Sequence, residues 1–592
     1  MQGRNETEGD PTVTAVAIGV VAGLVTIAVL LVEWPVLVWS TLMGRPTLMD
    51  SWSAFHGALH VITARRLAAP RYWAPWHEVL PPAAVWVVLD VVGSVLVAML
   101  AVAVMVRVDR WRGRSRLGLS PTDPRRGMKS RSWAKPRDWQ HLQVRATSHR
   151  TVVRLLTGER RAPEPRGGDS WSLGRVRNVA MRSGPEMHLC VIAPTRSGKT
   201  TRVVMREAAE HVGPAVVLSN KTDVLAATAA IRAERGPVWV YAPMSDLRSV
   251  GMRGCCWTPL TGCGDWSGAL AMAQWIFDAD PGAAAASDSS GGARFYNREA
   301  VEALLPALLH AAALGDRRMV DVLGWLRGGV DALDVPRELL DGHSAQHAAL
   351  ALAGVQALDE RPRSLLTMSA AQLIGAYRHP QVQAADRRGF DPDRLLDEGG
   401  TLYLIAPEGH QELLAPIFGG LLGELLRTCE RRAQHVRDPR TLPLVKVLAD
   451  EAAHLLPLAR LATYLSVSAG WGLRWCLIFQ SASQIRHRYG VQADVVLGNA
   501  LCKLALGPIH DRATRDELVA LLGDELVEQT SHTRDSMGSR GSVTRHEQLR
   551  PKVTAEQLAM LGEGEAIAIH GRDLPAIVQL PVWEGLVGKA WR

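Results

Sequence analysis

The sequence predicts an α/β protein. A largely parallel sheet is built around a phosphate-binding loop, interrupted by an all-helical insertion and preceded by two transmembrane helices. Three observations predict it. An apolar run, Leu189 to Ile192, leads through a tight loop into Gly198-Lys199-Thr200-Thr201, which opens a helical segment. A second apolar run, Leu444 to Ala449, ends in Asp450-Glu451. Two long apolar runs stand near the start of the chain.

Val13 to Val32 is uncharged and long enough, at about 1.5 Å per residue, to cross a hydrocarbon core of roughly 30 Å. Its N-terminal flank (Arg4 against Glu6, Glu8 and Asp10) is not that of a signal peptide. Ala83 to Val106 is the second run, broken only by Asp90, a costly group in lipid that should face another helix or subunit. Arg107, Arg110, Arg112, Arg114, Arg116, Arg125, Arg126, Lys129 and Arg131 follow it, outnumbering Arg45, Arg65, Arg66 and Arg71 between the runs. The positive-inside rule then puts both termini and the bulk of the chain in the cytoplasm, and residues 44–81 outside. The expected organisation is a membrane hairpin over 1–106 (spans about 13–32 and 83–106) and a basic juxtamembrane linker over 107–175. The soluble α/β domain takes 176–265 and 390–592, and the helical insertion 266–389.

The formal charge is +8 at a pI near 9.3, compatible with nucleic acid, yet part of it sits beside the membrane. The seven cysteines are scattered, and Cys255, Cys256 and Cys263 have no histidine at ligand spacing, so free thiols are expected rather than a metal site.

The loop Ala193-Pro194-Thr195-Arg196-Ser197-Gly198-Lys199-Thr200-Thr201 has the context in which backbone N–H groups and the helix dipole hold phosphate. Lys199 would reach the β- and γ-phosphates of ATP, and Thr200 would place its hydroxyl on Mg²⁺. Ala193 stands where glycine usually opens such a loop, and Arg196 is bulky for its position. Strand character returns at Ala215 to Lys221 and Val238 to Ala242, with a helix (Val224 to Arg235) between them. From Trp266 onward strand runs vanish and Ala/Leu-rich helical periods take over, with a Gly/Ala/Ser-rich break at 282–293.

The α/β pattern resumes with a strand at Thr401 to Ala406 and a helix from Leu413 to Val436. The strand ending in Asp450-Glu451 supplies what the loop needs: Asp450 for the Mg²⁺ shell, Glu451 to orient or deprotonate an attacking water. Lys446 inside that strand points to a polar face or an edge position. Trp475 to Phe479 delivers Gln480, an amide suited to sensing the γ-phosphate. A strand at Leu501 to Leu506 and a helix at Ala513 to Leu522 follow. The Ser/Arg/Gly-rich stretch 531–550 is expected to be a mobile insert, and Glu565 to His570 and Ala576 to Leu580 finish the sheet.

The set APTRSGKTT, SNKTDVLAATA, WTPL, LADEAAHL, FQSASQ and RPKVTAEQLAMLGEGEAIAIHGRDLP, in this order over about 185–585, resembles the type IV secretion coupling proteins of the TraG/TraD kind. The resemblance implies a RecA-like P-loop NTPase, assembled as a homo-hexamer at the inner membrane, with ATP and Mg²⁺ as cofactors. It implies that the helical insertion is an all-alpha domain meeting a relaxosome or secreted substrate. DNA, single-stranded and with a relaxase, and the channel proteins would be the partners. A duplex-DNA pump of the FtsK/HerA sort and a non-hydrolysing membrane receptor are the alternatives. Lys199, Thr200, Asp450 and Glu451 speak against the receptor. The short C-terminus, Pro581 to Arg592, without a DNA-reading winged helix, speaks against the pump. In a ring ATPase an arginine can act across the subunit boundary. Arg474 and Arg512 lie near strand ends, and Arg474 is preferred because its strand ends at Gln480.

Overall fold

The computed structural model describes residues 133–142 (except 137), 170–280 (except 178), 298–533 and 542–583. Both expected spans, the arginine-rich stretch after them and the break at 282–293 lie outside these residues. Among the described residues no helix is long and apolar enough to cross a membrane.

The strands are β1 (Ser172–Val176), β2 (Val179–Arg182), β3 (Leu189–Ile192), β4 (Ala215–Ser219), β5 (Val238–Tyr241), β6 (Thr401–Ile405), β7 (Val445–Ala449), β8 (Leu473–Phe479), β9 (Cys502–Leu506), β10 (Asp524–Thr533), β11 (Ser542–Pro551), β12 (Glu565–His570) and β13 (Ala576–Gln579). Eleven of them form one sheet in the order β2-β1-β13-β12-β9-β3-β8-β7-β4-β6-β5. From β9 to β5 every neighbouring pair is parallel, whereas β12, β13, β1 and β2 extend the sheet antiparallel. Strands covered on both faces need apolar residues at every position. Accordingly β3, β4, β6, β7 and β8 are buried throughout. Parallel pairing brings the C-terminal ends of β3, β8, β7 and β4 to one edge, where ligands bind in such sheets.

The helices over Trp266 to Asp397 lie between β5 and β6 in sequence, without an intervening strand among the described residues. Their apolar side chains share one core with a face of the sheet, from Ile192 and Leu218 through Ile276, Leu308 and Leu352 to Phe418. The closest seam joins helix Trp266–Ala279 to helix Gln411–His435. A Cβ at Gly423 would stand 2.1 Å from the Trp275 ring, so glycine there lets the two helices touch. The opposite face is covered by helices Met205–Glu210 and Asp223–Ala233.

Three expectations change. Lys446 is neither at an edge nor on an open face. β7 is a central strand, and the buried Lys446 ammonium meets Glu207 Oε2 at 2.7 Å and the Ser170 carbonyl at 2.8 Å, above the Trp171 ring. Within the stretch expected to be a mobile insert, residues 531–533 and 542–550 belong to strands: β10 and β11 pair over ten residues each, Asp524 opposite Pro551 through Thr533 opposite Ser542, apart from the main sheet. Finally, the region assigned to a linker contributes to the fold. Trp133 and Trp139 are buried, Trp139 Nε1 donates to the Leu574 carbonyl at 3.0 Å, and β1 begins at Ser172.

Candidate functional site

The loop after β3 is pinned at its start by the Ala193 N–H, which donates to the Phe479 carbonyl at 2.9 Å. Alanine at this position keeps the backbone donor that glycine would supply. Ser197 N–H folds back on the Pro194 carbonyl at 3.3 Å. Thr195 and Arg196 are exposed, and Arg196 takes a left-handed φ of 64°. Gly198 has φ 82°, and a Cβ there would press on the Arg202 side chain at 2.7 Å, so the position is doubly restricted to glycine. The helix opens in a widened turn, Thr200–Val204, before regular Met205–Glu210. The Thr201 hydroxyl caps back to the Gly198 carbonyl at 3.2 Å.

Four strand ends converge on this loop. Thr200 Oγ1 lies 3.1 and 2.9 Å from the two carboxylate oxygens of Asp450, at the end of β7. Lys199 Nζ stands 3.3 Å from Glu451 Oε1. Gln480, at the end of β8, donates through Nε2 to the same Glu451 oxygen at 3.1 Å. β8 lies between the loop strand β3 and the acidic strand β7, so its terminal amide falls between the two motifs. Gln480 is itself steadied: its N–H donates to Gln484 Oε1 at 2.9 Å, and Ser481 caps the following helix.

Asn220 completes the ring around the glutamate, its Nδ2 donating to Glu451 Oε2 at 3.3 Å. Sequence reasoning assigned it no role. The signal was present, since a polar residue directly after β4 must reach the same edge as Asp450. Glu451 therefore accepts from three donors, Lys199, Gln480 and Asn220, and keeps a partly open carboxylate.

Burial pushes the Asp450 carboxyl up to about 6; the Lys199 ammonium and the Thr200 hydroxyl oppose the rise, while Asp223 and Glu451 add to it. A divalent cation at the Thr200–Asp450 pair would relieve that stress, and the oxygen donor set suits Mg²⁺. The Ser197 hydroxyl is buried without a hydrogen-bond partner, and Lys199 is held by a carboxylate rather than solvent. The residues present fit a nucleotide triphosphate and its cation.

Arg474 is not part of this constellation. It stands at the start of β8, six residues before Gln480, which at about 3.3 Å per residue is roughly 20 Å from the site. It is 4 % exposed and donates to the Ala469 carbonyl at 2.8 Å and the Leu473 carbonyl at 3.0 Å. Its guanidinium is turned onto these two carbonyls, at the end of β8 away from Gln480. Arg512, by contrast, opens helix Arg512–Leu522 after the site-side end of β9, and its side chain is 89 % exposed.

The seven cysteines carry no disulfide, and five of them are buried. The three-residue group His141, His570 and Asp573 is an internal hydrogen-bonded chain. His570 Nδ1 and His141 Nε2 both contact Asp573 Oδ2, at 2.8 and 3.1 Å, and the Gly184 N–H donates to His570 Nε2 at 2.9 Å.

The parallel sheet, the loop and the acidic strand separated from it by one further strand define a P-loop NTPase fold. Residues 132–583 match the family model for type IV secretory system conjugative DNA transfer proteins, and the chain belongs to that family. The conjugal transfer protein TraG of Agrobacterium fabrum is 23 % identical over 479 residues, covering 75 % of this chain and 70 % of that protein. The TraG of Rhizobium radiobacter is likewise 23 % identical over 477 residues, covering 75 % and 71 %. Among solved structures, the fold is similar to the bacterial conjugative coupling protein TrwBdeltaN70 in its unbound form (TM-score 0.54, 18 % identity, 75 % of this chain and 93 % of that one). It is similar also to the plasmid coupling protein TrwB in complex with ADP and Mg²⁺ (TM-score 0.52, 18 % identity, the same coverage).

Proposed function

We propose that this chain is a membrane-anchored ATPase that couples a relaxosome, as DNA with its relaxase, or a protein substrate, to a type IV secretion channel and drives DNA translocation in conjugation. One observation carries the reading: Lys199, Gln480 and Asn220, from three separate elements, converge on Glu451 beside the Thr200–Asp450 pair. A receptor that never hydrolysed nucleotide would have no use for a carboxylate oriented so fully. The family membership and the crystallisation of TrwB with ADP and Mg²⁺ support the same reading.

Bound Mg²⁺–ATP would supply an electrophilic γ-phosphoryl group with its charge partly neutralised. The loop N–H groups and Lys199 would hold the phosphates, and Thr200 and Asp450 the cation. Glu451 would take a proton from the attacking water, while Gln480 keeps its carboxylate in place. We place the chain in the cell membrane through spans 13–32 and 83–106, as a homo-hexamer whose Arg512, rather than the buried Arg474, reaches the neighbouring active site.

The test is hydrolysis by the full-length chain with single-stranded DNA, duplex DNA or neither. Lys199→Ala and Glu451→Gln should each reduce turnover by about 10³-fold or more, the second without loss of ATP binding. Arg512→Ala subunits should regain turnover when mixed with Glu451→Gln subunits, which keep Arg512. Wild-type turnover in Glu451→Gln sinks the assignment; activity that only falls on mixing removes Arg512 from the role.

A further inference from the structure

The last described residues of the chain do not leave the molecule freely after β13. They lie along the opening of the P-loop helix and are fastened to it. Arg202, 7 % exposed, donates through its two terminal nitrogens to the Leu580 carbonyl at 2.6 Å and to Glu563 Oε1 at 2.7 Å. Arg206 reaches the Pro581 carbonyl at 3.4 Å. The Trp583 N–H donates to the Thr201 carbonyl at 3.2 Å.

That last bond depends on the widened turn. In a regular helix the Thr201 carbonyl would accept from the Met205 N–H, four residues on. Here the Met205 N–H goes to the Thr200 carbonyl, five residues back, so Thr201 is served by Trp583. Helix widenings of this kind cluster at functional sites. The Trp583 ring is half-buried, packed against the core that covers this face of the sheet, and part of its surface stays open.

The site has a direction. Lys199, Glu451 and Gln480 mark the γ-phosphate end, because the base and the sensor amide belong there. The α-phosphate, the ribose and the base must then lie at the other end of the loop. The Thr200 hydroxyl goes to Asp450, whereas the Thr201 hydroxyl turns back to the Gly198 carbonyl at 3.2 Å. The Trp583 N–H meets the carbonyl of this second threonine, not of the one at Asp450. We propose that Trp583 is the platform on which the nucleobase stacks, and that the C-terminal segment is therefore part of the nucleotide site. This rests on the ATP reading of the loop.

A stacked aromatic recognises any purine by its π-face and contributes nothing to the phosphates. The proposal thus predicts selective loss of base-dependent affinity. Binding of MgADP and of magnesium tripolyphosphate, which has no base, is measured by calorimetry on the full-length chain. Trp583→Ala and Trp583→Leu should weaken MgADP about 10-fold and leave tripolyphosphate unchanged, while Trp583→Phe keeps most of the ADP affinity. Leucine retains the buried apolar contact, so it separates stacking from folding if the alanine variant is unstable. The proposal is overturned if Trp583→Leu binds MgADP like wild type, or loses ADP and tripolyphosphate to the same degree. If the wild-type chain binds neither, the ATP reading itself fails, and this inference with it.

Discussion

β7 and β8 each carry charged or polar side chains at both ends, and the two ends behave oppositely. At the N-terminal end Lys446 is paired in register with Arg474, and both are buried. Lys446 is satisfied on every side by Glu207, the Ser170 carbonyl and the Trp171 ring, and Glu207 accepts in addition from the Ser172 N–H at 2.6 Å. Burial alone would raise the Glu207 carboxyl, but Lys446, Arg182 and these hydrogen bonds outweigh it and hold the group below the ordinary glutamate value. Four residues on, just past the C-terminal end of β7, Asp450 is buried and, among the described residues, its carboxylate is bonded only to a hydroxyl; burial pushes it up to about 6. A complete charge pair holds two layers together; an incomplete one waits for a ligand. In the sequence the two differ in place: Lys446 lies inside the apolar strand and Asp450 directly after it.

The largest effect that would break this comparison comes from the complete end. Lys446→Ala strands the Glu207 carboxylate in the core, and uncompensated buried charges cost about 3–5 kcal/mol. A marked fall in thermal midpoint is expected, and the double variant Lys446→Met with Glu207→Leu should recover most of it, because similar apolar volume replaces both charges. If the single variant melts like wild type, the pair is not what fastens the P-loop helix to β7.

Glu424 sharpens the point with the same residue type. It is half-buried on helix Gln411–His435 and accepts from Trp257 Nε1 at 2.6 Å; Thr261 and Arg427 also favour its charged form, but it makes no salt bridge among the described residues. Burial raises it from 4.5 to about 7. A carboxyl raised in the folded state contributes stability that is whole below its unfolded value and is lost as pH rises through the folded one. The wild-type chain should therefore lose up to about 3 kcal/mol between pH 5 and 8 from this group. Glu424→Gln should be the more stable chain at pH 8 and its equal at pH 5, read from denaturation midpoints at both. Identical pH slopes in the two chains would show that Glu424 finds a counter-charge.

Much of this was legible because apolar runs and parallel pairing constrain each other. Leu189 to Ile192, Val238 to Tyr241 and Glu565 to His570 are apolar blocks flanked by polar turns, and their ends reveal which polar residues share an edge. The site was legible for the same reason: Thr200, Asp450, Glu451 and Gln480 each follow an apolar block. What stayed hidden has no such pattern. β1 carries Gly174 and Arg175 in its middle, and β2 has only four residues on the margin of the sheet. The ribbon of β10 and β11 is polar over most of its length, because neither strand joins the main sheet, so its sequence looks like a loop. Trp583 and Thr201 meet only in three dimensions.

Arg474 makes the final and smallest test, and it concerns a deduction that sequence did permit. In a parallel sheet only strand C-termini reach the ligand edge, so an arginine preceding a strand that ends at the site stands at the wrong end. The parallel sheet is legible in the sequence, and strand direction applied to this residue puts it at the end of β8 away from Gln480. Its role follows from its surroundings: a guanidinium closing the Ala469 and Leu473 carbonyls under the turn that feeds β8. Arg474→Lys keeps the charge and loses the planar fork, so about 1 kcal/mol of stability should go with it. Turnover per folded subunit should not change, whereas a transition-state arginine in this position would lose about 10³-fold with the same substitution. Measuring both on one preparation, midpoint and turnover, decides between the two ends of the strand. A drop in turnover without a drop in midpoint would return Arg474 to the active site and undo the contrast on which its reassignment rests.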